Sequence, residues 1–194
     1  MFYRPAEGHG LPHNPFNAIV TPRPIGWIST RGPQGDNLAP YSFFNAAAYT
    51  PPQVTFASNG VKDSVTNIRA TGVFAVNIVE AAMLHPMSET SAELPPDVDE
   101  FAHAGVAKAC CTTIPCPRVE GAPATLECEL IDIVTLRGPH NYLIIGEVVG
   151  IHLRDDCLRD GLFDVTAFTP LARLGYRDYT LVREIITLKR PDER

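Results

Sequence analysis

No stretch of this sequence approaches the roughly 18 consecutive apolar residues that a membrane-spanning helix needs. Its start, MFYRPAEGHGLPHNPF, puts proline, glycine and histidine where a secretory leader would carry an apolar segment. The expectation is a protein away from the membrane, most simply in the cytoplasm. Positive charge is scarce too: 16 Lys and Arg against 22 Asp and Glu leave a formal net charge of −6, and the basic residues are scattered. A polyanion would find no basic stripe, so nucleic acid is not an expected partner. The five cysteines, Cys110, Cys111, Cys116, Cys128 and Cys157, contain no CxxC pair and have no histidine at ligand spacing. That argues for reduced thiols and against a disulfide framework or a metal site. The vicinal Cys110-Cys111 with Cys116 leaves open a redox or metal site beside the plainer reading, apolar strand positions next to a turn. Finally, no GxGxxG follows a strand and no GxxxxGK[ST] occurs, which excludes a Rossmann or P-loop nucleotide site.

What is present reads as one domain over residues 1–194, with the 45% hydrophobic and 20% charged content of a globular chain. Residues 1–16 carry Pro5, Gly8, Gly10, Pro12 and Pro15 and are expected as an extended leader. The stretch 21–79 organises the rest. β-Branched segments at 25–30 and 54–58 read as strands flanking a small-residue and aromatic loop, and a third strand follows at 73–79. Gly32-Pro33-Gln34-Gly35 turns the first strand back. The return segment from Asn37 to Asn45 mixes aromatic faces with hydroxyls and amides, which suits the face and rim of a planar ligand. It equally suits a buried strand with Phe43 or Phe44 in the core. Ala46-Ala47-Ala48 suggests close backbone approach or a helical turn.

Between the second and third strands, residues 61–71 place Val61, Val65 and Ile68 at helical spacing, with Gly72 where a C-cap belongs. Lys62, Asp63 and Ser64 open that helix. Its first N–H groups lack intrahelical partners and its dipole adds positive charge, so a phosphate there gains those donors, the Ser64 hydroxyl and the Lys62 ammonium. An ordinary N-cap uses the same residues differently, with Asp63 or Ser64 satisfying the donors and Lys62 solvated. Further on, short helices at 81–88 and 97–104 are expected as lids, followed by a weak strand at 106–114. Two long strands, 125–136 and 141–153, are joined by Arg137-Gly138-Pro139-His140. Leu126, Cys128 and Leu130 alternate with Glu127 and Glu129, which marks one buried face. Residues 142–151 are apolar on both faces, so the outer face wants a helix or a second subunit. A last strand is expected at 179–188. Six or seven strands with few short helices and no βαβ alternation argue for a mostly β, antiparallel barrel.

In PRPIGWIST, NLAPYSFFNA, PPQVTFASNGVKDSVTNIRATGVFAVNIV, ETSAELPPDVDEFAHAG, LECEL, GPHNYLIIGEVVG and PLARLGYRDY, the chain resembles the flavin reductase-like, FMN-binding split-barrel family. Within it the chain is most similar to the group of the nitrilotriacetate monooxygenase reductase component. The resemblance implies a split β-barrel, a homodimer with flavin sites at or near the interface, FMN as cofactor with FAD as the alternative flavin, and NAD(P)H as reductant. It implies that Lys62 and Ser64 hold the phosphate and that Asn37, Ser42 and Phe43 lie against the ring. Ser58 and Asn67 join them as flavin-binding residues, and His140 lies near the flavin as the one catalytic side chain. The implied function is an NAD(P)H:flavin oxidoreductase passing reduced flavin or electrons to a partner monooxygenase or redox protein. The alternative is a non-enzymatic electron carrier of flavoredoxin type. The flavin supplies the chemistry in either case, so no acid–base dyad is required. One departure stands out: related flavoredoxins carry a lysine in the DEFAHAG region, where this chain has Glu100.

Overall fold

The computed structural model describes residues 1–33 and 35–193, so Gln34 of the expected first turn lies outside the described residues. The first half of the chain forms α1 (Phe16–Ile19), β1 (Arg23–Pro24), β2 (Gly26–Gly32), β3 (Gly35–Tyr41), β4 (Phe44–Tyr49), β5 (Pro52–Asn59), α2 (Asp63–Thr71), β6 (Val73–Ile78) and α3 (Leu84–Glu89). The second half forms α4 (Glu100–His103), β7 (Lys108–Cys110), β8 (Pro117–Val119), β9 (Ala124–Thr135) and β10 (Asn141–Leu153), then the short strands β11 (Leu158–Arg159), β12 (Leu162–Phe163), β13 (Leu171–Arg173) and β14 (Tyr179–Leu181). Among the described residues no helix is long and apolar enough to cross a membrane.

Seven strands build one antiparallel sheet in the order β3-β2-β6-β9-β10-β5-β4. β3 and β4 stand at its opposite edges, yet only Ser42 and Phe43 separate them in sequence. A link of that length spans no more than ~11 Å between flanking Cα atoms, so the sheet must roll until its edges meet. It does: the Tyr41 ring of β3 lies 4.7 Å from the Phe56 ring of β5. The mostly β fold is a split barrel. Its interior holds Ile28, Phe56, Phe74, Val76 and Ile144 together with Val65 and Ile68 of α2. Packing there leaves Gly146 no room for a side chain, because a Cβ would sit 2.4 Å from the Phe74 ring.

The opposite face of β2 and β3 carries a second core, in which Trp27 and Leu38 meet Met87 of α3 and Phe101 of α4. Trp27 Nε1 donates to Thr90 Oγ1 at 2.8 Å, just past α3. The two short helices are thus core elements and not the lids that their sequence suggests. Other local expectations also shift. The helix expected at 97–104 shortens to Glu100–His103 because Asp99 caps it, Oδ1 accepting from the Phe101 N–H at 3.0 Å. Val61 is exposed and precedes α2, whereas Gly72 ends the helix as expected, at φ 72° with its N–H on the Ile68 carbonyl. Ala46-Ala47-Ala48 lies in the exposed edge strand β4, bulged between Ala46 and Ala48. The last strand stops at Leu181.

Glu127, which alternation assigns to the solvent side, is fully buried. The segment expected as a strand at 106–114 explains it. After Cys111 this segment leaves the ladder and turns the N–H groups of Thr112, Thr113 and Ile114 onto the Glu127 carboxylate at 2.6, 2.7 and 3.1 Å. The Thr113 hydroxyl and His152 Nε2 complete the shell. Burial raises the carboxyl pKa, but these bonds outweigh it and bring the group down to about 2. The segment that follows the expected leader is likewise tied down. Arg23 donates to the Asn17, Val20 and Leu174 carbonyls, and α1 packs so closely that a Cβ on Gly175 would fall 2.4 Å from Ala18.

Candidate functional site

Among the described residues the start of α2 has no side-chain cap: Lys62 holds the N-cap position, and its carbonyl accepts the first helical bond from the Thr66 N–H at 2.9 Å. This decides against the ordinary capping role for Asp63 or Ser64. The Ser64 hydroxyl instead turns inward and donates to Asn37 Oδ1 at 2.7 Å. Asn37 Nδ2 in turn donates to Glu100 Oε1 at 2.8 Å, and Glu100 Oε2 accepts the Leu38 N–H at 3.2 Å. Ser64, Asn37 and Glu100 are all buried, and they lock α2, β3 and α4 together. Because an ionised carboxylate only accepts, the Asn37 amide has one orientation open to it, NH2 toward Glu100 and oxygen toward Ser64. Burial raises the Glu100 pKa, and the bonds from Leu38 and Asn37 only partly offset it. A charged cluster steadies the same corner. Lys108 Nζ meets Asp36 Oδ2 at 2.7 Å and also the α4 cap Asp99, while Arg31 binds the same Asp36 at 2.6 and 3.0 Å.

Two cavities lie on this side of the barrel, the first of them against the network. One, of about 320 Å³, is lined by Asn37, Asp63, Ser64, Glu100 and the loop 90–94. The other, of about 530 Å³, is lined by Ser42, Phe43, Ser58, Arg137, Asn141 and Tyr142. Pro40, Tyr41 and Lys62 border both. Tyr41 is 7% exposed, and among the described residues its hydroxyl has no partner at hydrogen-bond geometry. The Ser58 and Ser64 hydroxyls lie near it and donate their own protons elsewhere, Ser58 to the Gly60 carbonyl at 2.9 Å and Ser64 to Asn37, so toward Tyr41 they act only as acceptors. A buried hydroxyl left unpaired costs on the order of 1–3 kcal/mol, and an acceptor on a bound ligand would remove that cost.

Among the residues singled out by sequence, Asn37, Lys62 and Ser64 meet at the first cavity, and Ser42, Phe43 and Ser58 at the second. The aromatic pair divides: Phe44 enters the core, while Phe43 stays 46% exposed with the Arg23 guanidinium 5.6 Å over its ring. His140 stands in the turn between β9 and β10 at φ 62°, with an exposed side chain. Its carbonyl accepts the Gly60 N–H at 2.6 Å, which sets it beside the loop entering α2 but outside the lining of both cavities. Asn67 is not brought to the site. Its Nδ2 donates to Thr30 Oγ1 at 3.1 Å, and it presses so near Gly32 that a Cβ there would meet its Oδ1 at 1.8 Å. It fastens α2 to β2. Sequence reasoning missed Tyr41 at the junction and Arg137 and Asn141 in the second cavity; only Tyr41 carried a signal, as the aromatic between Pro40 and Ser42.

Residues 19–172 match the flavin reductase like domain. The chain belongs to the flavin reductase-like family. An uncharacterized protein of Deinococcus radiodurans is 37% identical over 189 residues, covering 90% of this chain and 82% of that one. The crystal structure of nitrilotriacetate monooxygenase component B from Bacillus cereus superposes with a TM-score of 0.91 at 27% identity, covering 97% of this chain and 98% of that one. A Shewanella frigidimarina protein described as a flavin reductase with a split barrel domain shares the fold at 22% identity, with a TM-score of 0.83 over 90% of this chain and 89% of that one. Membership ties this flavin reductase-like protein to flavin-linked oxidation and reduction.

FMN is the cofactor that the family implies, and the residues present fit it. The uncapped α2 start and Lys62 suit a phosphate. The unpaired Tyr41 hydroxyl asks for an acceptor, and the second cavity combines aromatic walls at Phe43 and Tyr142 with hydroxyl edges at Ser42 and Ser58. Three carboxylates at the first cavity, Asp63, Glu93 and Glu100, run against an anion, and it is the Lys62 ammonium and the helix N–H groups that offset them.

Proposed function

We propose that this flavin reductase-like protein binds FMN across the two cavities, reduces it with NADH or NADPH, and delivers reduced flavin or electrons to a partner monooxygenase or redox protein. The observation that carries this reading is the junction at Tyr41 and Lys62. There an uncapped helix start, an exposed ammonium and an unpaired buried hydroxyl open onto a second, wider cavity. Lys62 and the first N–H groups of α2 hold the phosphate. Asn37, oriented by Glu100 and Ser64, forms the wall between phosphate and ring. Ser42, Phe43 and Ser58 meet the ring, and Tyr41 Oη donates where the two cavities join. His140, at the rim, offers a hydrogen bond to charge developing on the ring. When bound, the flavin accepts two electrons from the nicotinamide and passes them on. The likeness to a component of nitrilotriacetate monooxygenase supports an oxygenase as the recipient.

A homodimer belongs to the same reading. Val149, Ile151 and Leu153 of β10, at and beyond the irregularity at 148–150, are 36%, 58% and 42% exposed and form an apolar stretch of surface. An apolar face of this kind calls for a partner, here a second copy. Sedimentation is expected to show a dimer for wild type and a monomer for Ile151→Glu; a monomeric wild type would end this part of the proposal.

The central test titrates FMN and riboflavin into wild type and Lys62→Ala. Loss of one charge-assisted contact is expected to weaken FMN by ~10- to 100-fold, with riboflavin unchanged. NADH and NADPH are then added to the loaded protein without oxygen, and either one should bleach the yellow band. No flavin binding would overturn the proposal, and binding without bleaching would favour the electron carrier.

A further inference from the structure

Cys111 and Cys116 form a cross-strand pair for which flavin binding has no use. β7 pairs with β8 so that Cys110 lies opposite Pro117. The ladder continues one step further, the Cys111 N–H donating to the Cys116 carbonyl at 3.2 Å. Residues directly opposite in an antiparallel pair point to the same face, with Cα atoms about 4.5–5.5 Å apart. That falls inside the roughly 4.4–6.8 Å that a disulfide bridges. Both side chains pack in one cluster with Ala75 and Ile114. The two thiols differ in access. Cys116 is 4% exposed, and its Sγ donates to the Ser29 carbonyl at 3.1 Å. Its proton is held by the neighbouring Cys111 thiol and by burial, both of which raise its pKa. Cys111 is only half-buried, and the exposed Cys110 points to the other face of the hairpin. Among the described residues no group of three or more His, Cys, Asp or Glu is placed to hold a metal ion.

We propose that Cys111 and Cys116 are a redox-active dithiol that closes into an intramolecular disulfide, with hydrogen peroxide as oxidant. The accessible Cys111 thiolate attacks the peroxide; an S–O bond forms as the O–O bond breaks, giving a sulfenic acid and one water. The Cys116 sulfur then attacks the Cys111 sulfur. The S–S bond forms, the S–O bond breaks, and hydroxide leaves as a second water with the Cys116 proton. The two sulfurs together lose two electrons, and the peroxide is reduced to two waters. The bond would clamp the turn whose N–H groups hold Glu127.

The full chain, reduced and then freed of reductant, is treated with hydrogen peroxide near stoichiometry. Its thiols are counted after denaturation, and the tryptic fragment 109–118, which holds Cys110, Cys111 and Cys116, is mapped by mass. The expected result is loss of two of the five thiols, a Cys111 to Cys116 bond in that fragment, and recovery with dithiothreitol. In Cys111→Ser the Cys116 thiol should survive the same treatment. Five retained thiols, a bond through Cys110 or between chains, or equal thiol loss in Cys111→Ser would each overturn the proposal. The buried Cys116 is left unmutated, so the wild-type count and the half-exposed Cys111 carry the test without risk to folding.

Discussion

Asn37 Nδ2 and Glu100 Oε1, 63 residues apart in sequence, meet at 2.8 Å inside the protein, and this contact orients the amide that faces both Ser64 and the first cavity. The Glu100 pKa is raised above 4.5, so the folded state binds the proton more tightly than the unfolded chain does. Stability contributed by this group is therefore greatest below pH 4.5 and declines as pH rises through the folded value. Urea unfolding across pH is expected to show wild type losing ground to Glu100→Gln over that interval. A pH-independent difference would mean that the carboxyl is not perturbed by its burial. Other titrating groups are common to both proteins and cancel.

Tyr41→Phe separates binding from stability. Removing an unpaired buried hydroxyl leaves the unliganded protein at least as stable as wild type, while the ligand loses a donor and FMN binding weakens about tenfold. Thermal unfolding without ligand and FMN titration check the two halves. A destabilised variant with unchanged FMN affinity would place the partner of that hydroxyl inside the protein.

Glu127→Gln tests the opposite sign. The folded pKa of about 2 lies below the ordinary 4.5, so the stabilisation is fully present above pH 4.5 and is lost as pH falls toward 2. At neutral pH the variant is expected to be less stable by about 1.5–3 kcal/mol, the worth of a hydrogen bond to a charged group. Denaturant titrations should show the gap closing between pH 4.5 and 2; a constant gap would sink the argument.

His140→Ala should slow reduction of bound flavin by NAD(P)H by up to ~100-fold, the scale of losing one electrostatic donor, and leave FMN affinity almost unchanged. Stopped-flow absorbance on the loaded protein measures the first and equilibrium titration the second. A wild-type reduction rate in the variant would return His140 to the status of a turn residue.

The sequence by itself determined the elements whose signals are local. Alternation and β-branching marked β9 and β10, helical spacing with a terminal glycine marked α2, and Lys62-Asp63-Ser64 drew attention to the helix start that the structure finds uncapped. Such patterns are legible because an element's type and apolar face repeat over a few residues. Tertiary structure alone decided what each polar side chain meets. Ser64 and Asn67 sit one turn apart on α2, yet one reaches Asn37 and the other Thr30. Glu127 and Glu129 occupy the same face by alternation, yet a turn 13–15 residues earlier buries the first. The junction at Tyr41 exists only because Ser42 and Phe43 are too short a link to join opposite edges of an open sheet. Periodicity carries which way a residue faces, but the partner waiting there comes from a distant part of the chain, and closure of the barrel selects it.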